Sequence, residues 1–241
     1  MFGRILFGAS AVLFGVIALM WHDADTWQSP HRILRLPFGS IIGECLMIAL
    51  IVGAIGIVLT RTVRPAAILL IVVYALFSLT CIPGIVAAPK VFGQYDGFFE
   101  QFSLLCGVVA VYAATGANSA RALGAARVGF GLSVVAFTLA QIIYFKVTVA
   151  LVPTWIPPNQ AFWAILTTVA FALAAIAILT NLRARLALRL LTLMLALFGI
   201  LVWVPLLAAH PETHGNWSEF AINFLITGAA WVLAEAAPLT A

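Results

Sequence analysis

Charge is what this sequence has least of. Of its 241 residues only 8% are Asp, Glu, Lys or Arg, while 64% are hydrophobic and the mean hydropathy is +1.16. A soluble domain carries about a quarter charged residues. This chain cannot clothe its own surface in polar groups, which excludes a water-soluble fold. Its solvent is lipid. Cysteine is scarce as well: Cys45, Cys81 and Cys106 each lie inside an apolar run, with no CxxC pair. That excludes a disulfide framework and a zinc-ligand spacing. No P-loop or dinucleotide fingerprint is readable. The net charge of +4 does not point to nucleic acid, because twelve basic residues spread over the chain form no patch.

Long apolar runs are what it has in abundance. A membrane-crossing helix needs roughly 20 apolar residues. Eight runs qualify, at about 3–21, 40–60, 66–87, 98–117, 125–146, 160–180, 186–209 and 218–237. None alternates as a barrel strand does, and in lipid only a helix satisfies its own backbone. The first run follows Arg4, as a signal peptide would. It is long, however, and no A-x-A pattern follows it, so it is expected to be a retained helix. The predicted class is an all-α, polytopic membrane protein.

The connections differ in charge. Arg4, Arg61, Arg64, Arg121, Arg127, Arg183, Arg185 and Arg189 fall at alternate helix ends, without acids in the connections they share. The histidines and nearly all the acids occupy the other connections. The positive-inside rule therefore places both termini in the cytoplasm, with the bacterial inner membrane as the expected location. Trp21, Trp27, Tyr95, Trp155, Trp163, Trp203 and Trp217 fall near the opposite face, as an aromatic belt does.

The chain also matches itself at an offset of about 120–123. RILFGAS from Arg4 aligns with RVGFGLS from Arg127, and IPGIVAAPKVFGQYDGFFEQF (82–102) aligns with VPLLAAHPETHGNWSEFAINF (204–224). The second match pairs Pro83 with Pro205, Pro89 with Pro211, Gly93 with Gly215, Tyr95 with Trp217 and Gln101 with Asn223. Two four-helix units, residues 1–120 and 121–241, are expected to stand as parallel repeats, two bundles side by side. Pro83 and Pro205 are expected to bend the third helix of each unit.

The first half resembles the DoxX-like family of small four-helix membrane proteins. The resemblance rests on Arg4, Gly8 and Gly15, and on IIGECLMIALIVGAIGIVLTRTVRPAAILL with its helix-two acid Glu44, Gly53, Gly56 and an Arg at the next turn. The second half is similar through Arg127, LVPTWIPPNQAFW and an Arg after it, but QAFWAILTT supplies no partner for Glu44. The resemblance implies a four-helix membrane unit linked to redox systems, quinone as a cofactor, and a periplasmic or membrane redox protein as a partner.

Several polar residues carry candidate chemistry. Glu44, inside helix two, reads as a protonatable or ligand-binding carboxyl, or else as a packing group bonded to Arg35. His22, Asp23, Asp25 and His31 crowd the first outer connection. Asp96 and Glu100 stand at the fourth helix, beside Gln101, which with Asn223 reads as hydrogen-bonding glue between helices. His210, His214 and Glu219 suggest metal ligands, but Pro211 and Gly215 oppose a zincin helix and Ala88 and Phe92 replace the two histidines in the first half. A wet loop is the expected reading there. The three cysteines read as small packing residues. Two functions follow. One is an accessory or anchoring subunit linked to a redox system or the quinone pool. The other is a membrane enzyme or binding protein for a lipid-soluble ligand, quinone or isoprenoid, near Glu44 with His22 or Asp96. Few intramembrane charges speak against a transporter.

Overall fold

The computed structural model of the chain describes residues 1–21, 33, 36–116 and 119–237. Among the described residues it is helical throughout, without strands. In the first half α1 spans Phe2–Trp21, α2 Gly39–Val58, α3 Val63–Ala87 and α4 Phe92–Ala113. In the second half α5 spans Ser119–Ile143, the short α6 Phe145–Leu151 and α7 Gln160–Thr180. Helix α8 (Ala184–Phe198) passes through a π turn (Gly199–Trp203) into α9 (Val204–Ala209), and α10 covers His214–Ala236.

Seven of these segments are long and apolar enough to cross a membrane: α1, α2, α3, α5, α7, the continuous rod of α8 and α9, and α10. Helix α4 has 22 residues but carries Asp96 and Glu100 in its first turns, which sets it apart from the seven. The chain is thus a multi-pass membrane protein by composition and helix length. Large apolar side chains recur every three or four residues on outward faces, as with Ile48, Val52 and Ile55 on α2 and Ile165, Val169, Leu173 and Ile176 on α7. Lipid is the medium those stripes fit. The starts and ends of the helices are made locally. The side chain of Asn159, for example, accepts the Phe162 N–H at 2.9 Å and so caps α7.

The helices pack in chain order, α1 on α2, α2 on α3, α3 on α4, α4 on α5, α5 on α7, α7 on α8 and α8 on α10. Helix α10 then closes the circle on α1, and α4 meets α10 across its middle. This differs from two self-contained bundles side by side. The first helix of each half packs chiefly against the last helix of the other half.

The reason is where the small residues lie. Between helices in lipid there is little hydrophobic drive, so close backbone approach through Gly and Ala supplies the attraction. A Cβ on Gly228 of α10 would come within 2.7 Å of the Phe7 backbone on α1, and one on Gly3 within 2.6 Å of the Val232 nitrogen. Across the second seam, a Cβ on Gly129 of α5 would meet the Cys106 sulfur of α4 at 2.6 Å. In the middle, Gly107 of α4 faces Ala229 of α10 at the same distance, 2.6 Å. Phe7, Phe14, Tyr74, Phe77 and Phe130 fill the space these approaches leave and are fully buried. Phe7 meets Tyr74 edge to face, with centroids 5.9 Å apart.

One local difference separates the halves. The buried positions Val63, Ala67, Leu70 and Tyr74 of α3 fall 121 residues before Ala184, Leu188, Leu191 and Leu195 of α8, which are buried too. Beyond Pro83 and Pro205 the offset is 122. The extra residue is taken up in the π turn, where the Val204 N–H reaches back to the Gly199 carbonyl. Helix α3 runs through Pro83 without such a turn. Gly199 is required at the turn, because a Cβ there would lie 2.4 Å from the Phe224 ring.

Candidate functional site at the acid-bearing end

Two corners frame this end. At the first, the Ala88 N–H donates to Gly84, Val91 to Ala88 and Gln94 to Val91; at the second, His210 donates to Leu206, Thr213 to His210 and Asn216 to Thr213. Both corners turn at a residue with φ −138° and ψ 65°, Ala88 in one and His210 in the other. In each an aromatic polar hydrogen locks the turn to a proline carbonyl six residues earlier. The Tyr95 hydroxyl donates to Pro89 at 3.1 Å, and the Trp217 indole to Pro211 at 2.8 Å. The corners thus start α4 and α10 in equivalent ways and set the first turns of the two helices beside each other.

Asp96, Glu100, Ser103 and Gly107 share one face of α4 by their spacing of four, three and four residues. Gly107 meets α10, so this face is the one turned toward α10. Glu219 comes from the second turn of α10. The three carboxyls lie close enough to act on one another: Glu100 feels both Asp96 and Glu219, and Glu219 feels Asp96. Asp96 and Glu100 are half-buried and Glu219 is exposed. Among the described residues none of the three makes an ion pair or a hydrogen bond, and no Lys or Arg side chain answers them. Asp96 precedes the apolar stretch 98–117, and burial pushes its carboxyl up to about 6. Like charges sharing one place cannot all ionise cheaply, so such a trio holds protons between its members.

The other predicted residues fall elsewhere. Glu44 is exposed near the start of α2, and Cys45 beside it is exposed as well. His22, Asp23, Asp25, His31 and Arg35 lie outside the described residues. His210 stands 3.7 Å from Glu212 on the exposed corner. His214 stacks on Trp21 with ring centroids 4.9 Å apart and planes 3° from parallel, which ties the end of α1 to the start of α10. Among the described residues no three His, Cys, Asp or Glu side chains are arranged to hold a metal. Cys81 and Cys106 are buried, and the Cys81 thiol lies 3.6 Å from the Gly97 carbonyl on α4.

The amide pair requires a correction. Gln101 is buried, yet its Oε1 accepts no hydrogen bond among the described residues, and neither does the buried Oδ1 of Asn223. Instead, the Asn223 Oδ1 lies beside the π turn, 2.9 Å from where a Gly199 Cβ would stand. The helices here are held by glycine contacts and the corners. Sequence reasoning placed Asp96 and Glu100 together but left Glu219 with the histidines. The signal that links them is the offset of 122, which sets Glu219 on α10 at the place of Gly97, next to Asp96. No family model, curated protein or solved structure matches the chain.

Proposed function

We propose that this chain is a bacterial inner-membrane protein of DoxX-like type that serves as an accessory or anchoring subunit of a redox system, with the Asp96, Glu100 and Glu219 carboxyls handling protons at its outer face. In this reading α4 is an eighth transmembrane helix, both termini are cytoplasmic, and the two halves descend from a duplicated four-helix unit. The paired corners and the contact between Gly107 and Ala229, which share the offset of 122, support the duplication. An axis along the membrane normal passing between those two residues relates parallel repeats.

One observation carries the functional reading. Three carboxyls from α4 and α10 lie within electrostatic reach of one another with no cationic partner among the described residues, an arrangement that costs stability and that marks sites where protons or cations are exchanged. Quinone chemistry and the redox partners of such systems take up and release protons at the membrane surface, which gives the trio its use. Native mass spectrometry of the gently extracted protein tests the proposal. A copurifying redox protein or a retained quinone is the expected result, lost or weakened in Glu100→Gln. Recovery of the bare chain in both forms, with no partner and no quinone, would overturn it.

Glu44 favours a second reading. Its carboxyl is exposed on an otherwise apolar helix and has no partner among the described residues. A lipid-soluble ligand reaching α2 from the bilayer would find it. In that case a quinone or isoprenoid is retained by the purified protein and lost in Glu44→Gln, while Glu100→Gln keeps it.

A further inference from the structure

The arginine-bearing end holds a cavity that the carboxyl trio does not explain. About 240 Å³ opens between the first turns of α5, the turn from α7 to α8 and the end of α10. Leu123 and Arg127 line it from α5, Leu188 from α8, Leu233 and Ala237 from the end of α10, and Asn181 from the turn. The Arg127 Nη1 donates to the carbonyls of Ile178 and Leu179 at the end of α7, which holds the guanidinium in place. Its remaining N–H groups and the Asn181 side chain have no partner among the described residues.

The first half treats its corresponding arginine differently. There Arg64, in the first turn of α3, lies over the Tyr112 ring with 5.4 Å to its centroid, and its Nη2 is 3.5 Å from the hydroxyl. The offsets that relate the halves put Arg185 at the place of Arg64 and Ala234 at the place of Tyr112. Alanine supplies no ring, and the Nε of Arg185 is buried with no hydrogen bond among the described residues.

The charge near the lining is mostly basic. Arg121, Arg183 and Arg189, all exposed, lie within two positions of lining residues in the sequence, which has no Asp or Glu between Glu100 and Glu212. The nearest acid on α10, Glu235, is already paired with the amino group of Met1. Apolar walls, a fixed guanidinium and a basic rim at the ends of membrane helices suit a molecule with an acyl chain and an anionic head.

We propose that this cavity binds the headgroup of an anionic phospholipid, with Arg127 and Asn181 donating to the phosphate and Leu123 and Leu188 against the start of its acyl chains. Arg121 and Arg183 attract the headgroup from the rim. The proposal stands apart from the redox reading, since it concerns the opposite end of the molecule.

The test uses the full chain in nanodiscs of phosphatidylglycerol and phosphatidylcholine in equal amounts, released into detergent for native mass spectrometry. Wild type is expected to retain phosphatidylglycerol at least five-fold over phosphatidylcholine. The exposed double variant Arg121→Gln/Arg183→Gln is expected to lose most of that preference. Leu123→Trp, which fills the cavity from its lining, is expected to abolish it. Because Leu123→Trp can also disturb folding, the double variant decides: retention equal to wild type overturns the proposal. Equal retention of the two lipids by wild type overturns it too. Displacement of the lipid by an equal concentration of inorganic phosphate would show a site for a free anion, and would likewise refute a lipid site.

Discussion

The corners that start α4 and α10 have the same backbone and different side chains. Gly84–Tyr95 and Leu206–Trp217 share each of the three backbone hydrogen bonds, the same turning dihedrals and the same bond from an aromatic group to a proline carbonyl. Yet one turns at Ala88 and the other at His210, and one is followed by Asp96 while the other is followed by Ser218 and Glu219. The lesson is a division of labour. Proline, glycine and a donor-bearing ring determine the path of the chain, and the polar side chains on that path are free to differ between the halves. Histidines that look like ligands at one corner carry little weight when the other corner makes the same turn with alanine.

The largest expected effect comes from breaking the seams that carry the corners. Gly228→Leu forces a side chain into the Phe7 backbone, which cannot move away as a flexible side chain could. Failure to accumulate in the membrane is expected, read by immunoblot of membrane fractions. Gly107→Ala, at the contact with Ala229, should be milder, costing about 1–3 kcal/mol as overpacking does. Thermal melting in detergent measures it, and a variant as stable as wild type would refute the proposed close approach of α4 and α10.

Next in size is the pH dependence of the carboxyl trio. The folded protein holds the Asp96 proton up to about 6, against an ordinary value of 3.8. Between those limits the folded state binds more protons than the unfolded one, so stability declines as pH rises from about 4 to about 6. Asp96→Asn removes that decline. Its melting temperature should exceed that of wild type above pH 6 and the difference should shrink toward pH 4. Parallel curves for the two proteins would refute a carboxyl whose proton affinity is raised by burial at this position.

The corners themselves allow a matched pair. Tyr95→Phe removes one aromatic-to-proline hydrogen bond, and its loss should cost roughly 0.5–1.5 kcal/mol. Trp217→Phe removes the other along with part of a ring, so it should cost at least as much. If only one of the two matters, the corners are not equivalent in energy whatever their geometry. The smallest effect is reserved for Glu235→Gln. The pair with the Met1 amino group is largely exposed, and such pairs are worth about 0–1 kcal/mol.

Much of this architecture was legible in the residues. Apolar length locates the helices, and Pro89, Pro211, Tyr95 and Trp217 mark the paired corners in the sequence. Other features were hidden for physical reasons. Periodicity says which residues share a helix face but not which helix lies opposite, so the exchange of partners between the halves had no local signal. The meeting of Glu219 with Asp96 and Glu100 depends on that exchange. The π turn was concealed for another reason: a single added residue inside an apolar run changes neither composition nor hydropathy. Its trace is the step in offset from 121 to 122 between the starts of α3 and α8 and the prolines that follow.

The tie between Met1 and Glu235 bears on how the molecule is assembled. Its partners are 234 positions apart in the chain. At synthesis rates of about 5–20 residues per second, α1 is made roughly 10–50 s before its main neighbour. During that interval Phe7 can already pack on Tyr74 of α3, but the backbone of α1 at Gly3 has only lipid or a chaperone against it. Arrival of α10 therefore acts as the final latch of assembly. Any shortening of the chain that removes α10 should leave α1 without its seat, and the upstream helices as an open, degradable arc.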